Sequence, residues 1–253
     1  MQFASYPSLN NAVVYITGGA SGIGKDMVEA FAAQGAHVGF VDIAAEEGRA
    51  LAKGLGATGA KIHFEACDLR DIGALKAAFA ALKRAVGPAN VLINNAARDD
   101  RHGWQDVTPD YYDERISTNL RHMFFAIQTV APDMIAAGKG SIINFGSNSW
   151  WESVGGMPVY TTAKAAVHGM TRSFARDLGK HRIRVNTIVP GWVMTERQKT
   201  LWAKPDAIER HLVRQCLPDL IKPVYLARMA LFLASVDSAM CTANNYMVEA
   251  GSI

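Results

Sequence analysis

The chain carries the stretch Thr-Gly-Gly-Ala-Ser-Gly-Ile-Gly at residues 17–24, directly after an apolar run at residues 12–16. Apolar side chains then recur on one face of a helix predicted at residues 22–34. A strand, a glycine-rich turn and a helix N-terminus in this order are typical of a dinucleotide fingerprint. The glycines let the backbone approach a pyrophosphate, and the helix N-terminus offers it unpaired N–H groups. A tight turn without a ligand gives the same pattern, so both interpretations stay open on this stretch alone.

A carboxylate closes the second predicted strand. Asp42 follows the apolar residues 37–41 and lies eighteen residues after the last glycine of the stretch. A carboxylate there can accept from both hydroxyls of an adenosine ribose and would repel a 2′-phosphate. Neither Gly19 nor Ile43 supplies a cation that would hold such a phosphate. The sequence therefore predicts NAD rather than NADP, although Asp42 could also begin the next loop and cap its helix.

Short β-rich runs alternate with longer helical patterns along the whole chain. Strands are predicted at residues 12–16, 37–41, 61–67, 91–94, 141–145, 184–189 and 245–248, and helices at residues 22–34, 44–55, 72–86, 109–137, 159–179 and 223–234. This alternation predicts an α/β fold with a Rossmann-type doubly wound parallel sheet. Pro132 is a candidate kink in the longest helix. With no repeat or linker in the sequence, we predict a single domain over residues 1–253.

A tyrosine and a lysine lie one helical turn apart after the fifth predicted strand. Tyr160 and Lys164 are spaced to share a helix face, thirteen residues after Ser147. A free tyrosine has a pKa near 10 and is a poor base at neutral pH, but a neighbouring lysine cation favours the phenolate and lowers that pKa. A Tyr-x-x-x-Lys pattern alone is weak, because a solvated lysine near a packed tyrosine is common on helices.

The placement of other polar residues strengthens the catalytic interpretation. In a doubly wound sheet the ligand lies beyond the carboxyl ends of the strands. The residues that follow predicted strands three to six are Asp68, Asn95, Ser147 and Pro190. We therefore expect all of them to open on one crevice, together with the tyrosine–lysine pair.

Composition excludes several classes of protein. A length of 253 residues with 49% hydrophobic content suits one buried core, and a net charge of +3 without a charged block gives no reason to expect nucleic acid or an anionic membrane as a partner. Residues 1–11 lack the basic start and apolar core of a secretion signal, so we do not expect secretion, and no apolar run approaches the roughly 18 residues that span a bilayer. The widely spaced Cys67, Cys216 and Cys241 predict reduced thiols in a cytoplasmic protein. The histidines lack metal-ligand spacing, so no catalytic metal is predicted.

Taken together, the motifs resemble those of the classical short-chain dehydrogenase/reductase family over essentially the whole chain. They are Thr17-Gly18-x-x-x-Gly22-x-Gly24, Asp68, Asn94-Asn95-Ala96, Asn119, Ser147, Tyr160-x-x-x-Lys164, and Arg184-Val185-Asn186 before Pro190-Gly191. The resemblance implies that Tyr160 is the general base, that Ser147 orients the reacting oxygen, and that Lys164 binds the nicotinamide ribose and lowers the pKa of Tyr160. It implies that Asn119 holds a water of the proton relay, and that the protein is a homotetramer. The implied cofactor-binding residues are Gly18, Ser21, Gly22, Ile23, Gly24, Asp42, Asp68, Leu69, Asn95, Tyr160, Lys164, Pro190, Val193 and Thr195.

Two departures from the family pattern are visible. Ala97 stands where the family usually has glycine, and the added methyl costs little if the backbone φ angle there is negative. The tail reads Val248-Glu249-Ala250-Gly251 where the family often has Val-Asp-Gly-Gly, which weakens the expectation of a tetramer.

Polar and aromatic residues follow the fourth and fifth strands. Residues 98–102 read Arg-Asp-Asp-Arg-His and residues 148–152 read Asn-Ser-Trp-Trp-Glu, with Trp192 after the sixth strand. Stacking faces combined with polar groups suit a polyhydroxylated ring better than an acyl chain or a steroid. Alternatively, the charged run is a solvated loop and the tryptophans only pack together.

At a finer level the chain resembles bacterial NAD-dependent aldose 1-dehydrogenases of the D-xylose, L-arabinose and D-galactose type. The resemblance rests on Asp99-Asp100-Arg101-His102, Tyr112-x-Glu114-Arg115-Ile116, Asn119-Leu120-Arg121-His122-Met123, Ile143-Asn144-Phe145-Gly146-Ser147 and Gln215-Cys216-Leu217. It implies oxidation of a sugar at C1 to the aldonolactone, with the hydride passing to NAD. The expected substrate contacts are Asp99, His102, Ser147, Asn148, Trp151, Tyr160 and Trp192.

Two other functions stay open at this point. A ketone or 3-oxoacyl reductase of the same family would use the same residues in reverse, although Asp42 and the polar pocket argue against it. A non-catalytic nucleotide-binding scaffold would keep the fold without needing all four catalytic residues.

Overall fold

The computed structural model describes residues 3–252, and seven strands within them form one parallel sheet. Its strands are β1 Val13–Thr17, β2 His37–Asp42, β3 Ile62–Ala66, β4 Val91–Asn94, β5 Gly140–Phe145, β6 Ile183–Pro190 and β7 Asn245–Val248. They lie in the order β3-β2-β1-β4-β5-β6-β7. From β1 the chain adds β2 and β3 on one side of the sheet and then returns to add β4 on the other side of β1. A ligand crevice forms at such a switch point. The predicted doubly wound α/β fold is confirmed.

Helices cover both faces of this sheet. They are α1 Gly22–Ala33, α2 Ala45–Gly56, α3 Ile72–Val86, α4 Pro109–Ile116, α5 His122–Ala137, α6 Pro158–Leu178, α7 Glu196–Leu201, α8 Pro205–Leu212 and α9 Pro223–Ala234. Helices α1 and α9 pack on one face with Val14 and Ile16, whereas α3, α5 and α6 pack on the other with Val13 and Tyr15. Successive residues of β1 thus enter opposite cores, which explains its uninterrupted apolar sequence. Within the described chain, no helix has the length and apolar character needed to cross a bilayer.

The glycine-rich turn between β1 and α1 is too tight for side chains. Gly18 and Gly22 have φ angles of +68° and +52°, in the left-handed region that favours glycine. A Cβ atom on Gly24 would lie 1.7 Å from the carbonyl oxygen of Gly18. The turn therefore depends on glycine for close backbone packing, as the fingerprint predicts.

The long helical stretch predicted at residues 109–137 is divided into two helices. A π-helical turn, Ser117–Arg121, joins α4 to α5, whereas Pro132 lies inside α5. The buried Asn119 is in this π turn. Because π turns widen a helix locally and frequently occur at functional sites, the irregularity marks the region of Asn119.

The two departures from the family pattern differ in backbone conformation. Ala97 lies outside the left-handed region, so its methyl group meets the condition stated above. Ala250 has a φ angle of +59°, which costs a non-glycine residue about 1 kcal/mol. The alanine in the tail is therefore strained where a glycine would not be.

A chain of buried polar side chains crosses the sheet below the crevice. Asn94 Nδ2 donates to Asn144 Oδ1 at 2.9 Å, and Asn144 Nδ2 donates to Thr171 Oγ1 at 2.9 Å. Thr187 Oγ1 donates to Thr171 Oγ1 at 2.8 Å. All four side chains are fully buried, and they connect β4, β5, β6 and α6. Buried polar groups paired in this way fix one relative position of the elements that carry them.

Replacing Gly24 by alanine tests the tight turn. We expect Gly24→Ala to lower the free energy of unfolding by more than about 2 kcal/mol, because the new methyl overlaps a backbone carbonyl. Gly54→Ala in α2 is the matched control, since nothing lies within 4 Å of its Cβ position and alanine favours a helix by about 1 kcal/mol. Urea denaturation of both variants measures the difference, and equal midpoints would contradict the packing argument.

Replacing Asn144 by alanine tests the buried polar chain. Asn144→Ala removes two hydrogen bonds and leaves buried partners unsatisfied, so we expect a loss of about 2–4 kcal/mol in unfolding free energy. Asn244→Ala, at an exposed position near β7, should stay within about 0.5 kcal/mol of the wild type. A similar denaturation midpoint for the two variants would show that these buried hydrogen bonds contribute nothing to the free energy of unfolding.

Candidate active site

Two adjoining cavities open at the carboxyl ends of the strands. The larger has a volume of about 620 Å³ and the smaller about 430 Å³. Both cavities are lined by Ile23, Asn95, Ala97, Asp99, Thr195 and Gln198. A ligand that fills one cavity can therefore reach the other across this common wall.

The larger cavity brings together three residues predicted to be catalytic. Tyr160 and Lys164 project from α6, and Ser147 follows β5. Lys164 is only 1% exposed, and its Nζ donates to the Phe145 carbonyl at 2.8 Å. That Nζ lies 5.7 Å from the centroid of the Tyr160 ring. Ser147 lies close enough to the Tyr160 phenol to favour its ionised form, and its Oγ accepts from the Ser149 N–H at 3.1 Å.

Burial dominates the protonation of this pair. Desolvation raises the pKa of Tyr160 above its ordinary value of 10, with a smaller contribution from Asp99, while Ser147 and Arg101 act in the opposite direction. Desolvation also lowers the pKa of Lys164 to about 7, against the effect of Asp99. The sequence argument predicted a lowered pKa for Tyr160. In the structure the direction is the opposite, because burial disfavours both the Tyr160 phenolate and the Lys164 cation.

Asn119 ties the π turn to the loop after β4. Its Oδ1 accepts from the Arg98 N–H at 2.7 Å, and its Nδ2 donates to the Arg115 carbonyl at 3.0 Å. The side chain thus holds the loop that leads from β4 into the larger cavity, while its proposed part in a proton relay stays a prediction.

All fourteen predicted cofactor residues line one of the two cavities. Tyr160, Lys164, Pro190 and Val193 line the larger one, Gly18, Ser21, Gly22, Gly24, Asp42, Asp68 and Leu69 line the smaller one, and Ile23, Asn95 and Thr195 line both. The smaller cavity fits a dinucleotide phosphate. Ser21 precedes α1 without capping it through its side chain, so the first N–H groups of this helix have no side-chain cap there.

Asp42 ends β2 and accepts from two backbone N–H groups, neither of which belongs to α2. Its Oδ2 accepts from the Ala20 N–H at 2.9 Å, and its Oδ1 accepts from the Ala44 N–H at 3.0 Å. It also lines the smaller cavity, so it supports the glycine turn and faces a ligand position at once.

Arginines around the smaller cavity were not identified from the sequence. Arg70 donates from Nη2 to Asp68 at 2.6 Å and from Nη1 to Glu114 at 2.9 Å, and these contacts keep the pKa of Asp68 below its ordinary value. Because its guanidinium is held by two carboxylates, Arg70 is a weaker candidate for binding a phosphate than its position suggests.

Five of the predicted substrate residues line the larger cavity: Asp99, Ser147, Asn148, Tyr160 and Trp192. The other two, His102 and Trp151, lie outside it. The His102 Nε2 accepts from the Val159 N–H at 3.3 Å at the start of α6, so this ring supports the helix. Trp151 is 64% exposed, because the short helical turn at Asn148–Trp150 directs its side chain outward.

Several residues that line the larger cavity were not among the expected substrate contacts. Glu152 lies in the run at residues 148–152 considered above, whereas sequence reasoning missed Met157, Gln198, Trp202, His211 and Arg214. Gln198 accepts from Trp192 Nε1 at 2.8 Å and donates to Asp99 at 2.8 Å, so α7 closes over the wall between the cavities. The segment at residues 191–220 has little periodicity, and only its position after the sixth strand signalled a role. Residues 3–252 contain no cluster of three or more side chains that could hold a metal ion.

Comparison with known proteins gives one family. The short chain dehydrogenase family model matches residues 12–206. The chain is 47% identical over 251 residues to D-xylose 1-dehydrogenase from Caulobacter vibrioides, covering 99% of each chain. It is 46% identical over 249 residues to the protein named "Probable galactose dehydrogenase GalD" from Rhizobium meliloti, covering 98% of this chain and 97% of that one.

A solved structure supports the same assignment. The chain superposes with a TM-score of 0.94 on 7α-hydroxysteroid dehydrogenase complexed with NADH and 7-oxo glycochenodeoxycholic acid, at 28% identity, covering 100% of this chain and 98% of that chain. With the fold, the cavities and the Ser147–Tyr160–Lys164 arrangement, these matches identify the chain as a member of the short-chain dehydrogenase family.

Proposed function

We propose that this protein oxidises an aldose at C1 to the aldonolactone, with NAD as the hydride acceptor. The observation that carries the proposal is the meeting of Ser147, Tyr160 and Lys164 in a polar cavity that adjoins a nucleotide-sized one. The similarity to two proteins named as sugar dehydrogenases supports the choice of an aldose. Both relatives are matched over nearly their full length, so the whole substrate-binding region is comparable.

The catalytic residues have separate roles in this proposal. The Tyr160 phenolate accepts the proton of the anomeric hydroxyl, and the Ser147 hydroxyl donates a hydrogen bond to the same oxygen. Lys164, through the π turn at Asn119, returns the proton to solvent. When bound, the nicotinamide supplies the hydride acceptor and a positive charge beside the phenol.

The choice of NAD rests on Asp42. Its two oxygens are held by backbone N–H groups, so the negative charge is fixed at the wall of the smaller cavity. A fixed carboxylate can accept from ribose hydroxyls and repels a 2′-phosphate. The pairing of Arg70 with Asp68 and Glu114 removes one cation that would otherwise favour the phosphate.

The larger cavity favours a polyhydroxylated ring over an acyl chain. Its wall combines the indoles of Trp192 and Trp202 with the carboxylates of Asp99 and Glu152. A ketone or 3-oxoacyl reductase would place apolar chain against those carboxylates, which is costly without hydrogen-bond donors.

Three further features belong to the proposal. We propose one domain over residues 1–253, a cytoplasmic location consistent with three free cysteines, and a homotetramer. Phe124 and Ile135 on α5 remain 45% and 38% exposed, and apolar side chains of this kind suit burial between subunits.

NADH formation with a panel of aldoses tests the proposal. D-xylose, L-arabinose, D-galactose, L-fucose, L-rhamnose and D-glucose are each assayed with NAD and with NADP, and we expect strong turnover of one or two sugars with NAD. Tyr160→Phe should lower kcat by about 10³-fold or more while the affinity for NAD changes little, because the variant lacks only the proton acceptor. Turnover retained by Tyr160→Phe, or NADH formation with none of the sugars, would refute the proposed function.

The pH profile tests the protonation of the catalytic pair. Catalysis needs the deprotonated phenol, and burial raises the pKa of Tyr160, so kcat should rise with pH between 6 and 9. The profile is measured with sugar carrying hydrogen or deuterium at C1, since an isotope effect shows that hydride transfer limits the rate. A flat profile in the presence of an isotope effect would exclude Tyr160 as the base.

A further inference from the structure

A buried carboxylate lines the larger cavity five residues after Ser147. Glu152 has a side chain that is only 7% exposed, at the end of the short turn that follows β5. Its backbone N–H donates to the Asn148 carbonyl at 2.9 Å, and the same turn is held by the bond from Ser149 N–H to Ser147 Oγ at 3.1 Å. The position of Glu152 relative to Ser147 is therefore fixed by a rigid piece of backbone.

The contacts of Glu152 with Asn148 and Arg214 use only part of its hydrogen-bonding capacity. Asn148 Nδ2 donates to its Oε1, while Arg214 Nη2 lies 3.8 Å from its Oε2, which is beyond hydrogen-bond length. An ionised carboxylate accepts about four hydrogen bonds in all. The Oε2 atom in particular can still accept from donors placed in the cavity.

The surroundings do not replace these missing donors. Burial lowers the pKa of the nearby His211, so this imidazole is neutral at neutral pH and does not cancel the negative charge. The Arg214 side chain is about half exposed, and an ion pair at that distance with one solvated partner is weak. A buried carboxylate is costly unless donors meet it, which a hydroxylated ligand provides.

We propose that Glu152, held by Asn148, binds a hydroxyl of the sugar ring away from C1 and is the residue that selects hydroxylated rings as substrates. The inference rests on the proposed function and names the recognition group within that site. A hydroxyl donates to Oε2 and restores its hydrogen bond, whereas a deoxygenated ring leaves the carboxylate unpaired and an anionic ligand is repelled.

The test combines Glu152→Gln with sugars that lack single hydroxyls. Wild type and variant are assayed for kcat/KM with the preferred aldose and with its 2-, 3- and 4-deoxy analogues, at saturating NAD. We expect Glu152→Gln to lower kcat/KM for the intact sugar by about 10- to 100-fold, mainly through the KM of the sugar, since the neutral amide is a weaker acceptor. One ring position should carry the hydroxyl that Glu152 binds. There the loss of kcat/KM caused by removing the hydroxyl and the loss caused by Glu152→Gln should not multiply, because both changes remove the same hydrogen bond.

Controls separate recognition from structure. Glu209→Gln, an exposed carboxylate on α8, should match the wild type, and Glu152→Asp should keep part of the discrimination because it retains the charge. The KM for NAD and the melting temperature should change little in Glu152→Gln.

A change in kcat/KM below about twofold, or losses that multiply at all ring positions tested, would overturn the assignment of Glu152. Wild-type protein that oxidises no aldose would overturn the proposed function and this inference together, whereas wild-type turnover with an unaffected variant overturns this inference alone.

Discussion

The active site depends on a lysine whose charged group is buried. Lys164 is 1% exposed, and one of its three donors meets the Phe145 carbonyl at the end of β5. Removing an ammonium group from water is costly, and desolvation lowers the pKa of Lys164 to about 7. The bond to Phe145 fixes α6 against β5, so it also fixes Tyr160 relative to Ser147. The remaining donors are those that, in the proposed mechanism, bind the cofactor ribose.

The same burial acts on both members of the pair that we propose as catalytic. Within the protein, desolvation favours neutral tyrosine and neutral lysine, and a neutral phenol is a poor proton acceptor. Asp99 acts on both residues, because its negative charge opposes ionisation of the phenol and favours the lysine cation. Under the proposed function, the positive charge that a bound cofactor would supply opposes this effect of burial.

The sequence predicts the fold well, because the alternation of strands and helices is visible in short-range patterns. The predicted cofactor residues line the two cavities, because residues at the carboxyl ends of parallel strands share one edge of the sheet. The substrate wall was predicted less completely, since it depends on irregular backbone. His102 turned out to support α6, Trp151 faces outward, and Gln198 and Trp202 lie in a segment without periodicity. The sign of the Tyr160 pKa shift was wrong for a related reason, because helical spacing shows which charges are neighbours but not how much water surrounds them.

The wall between the two cavities is positioned by contacts that reach both of them. Gln198 joins Trp192 to Asp99, and Arg197 Nη2 donates to Asp100 at 2.7 Å, so polar contacts hold α7 against the loop after β4. The Arg197–Asp100 pair is partly exposed and is therefore individually weak. Gln198 lines both cavities, so a change in this wall affects the larger and the smaller cavity together. The turn after β5, which bears Ser147 and Glu152, is held by its own hydrogen bonds. The residues that we propose to contact the reacting oxygen and a distal hydroxyl are therefore positioned by a different set of contacts from those that hold α7.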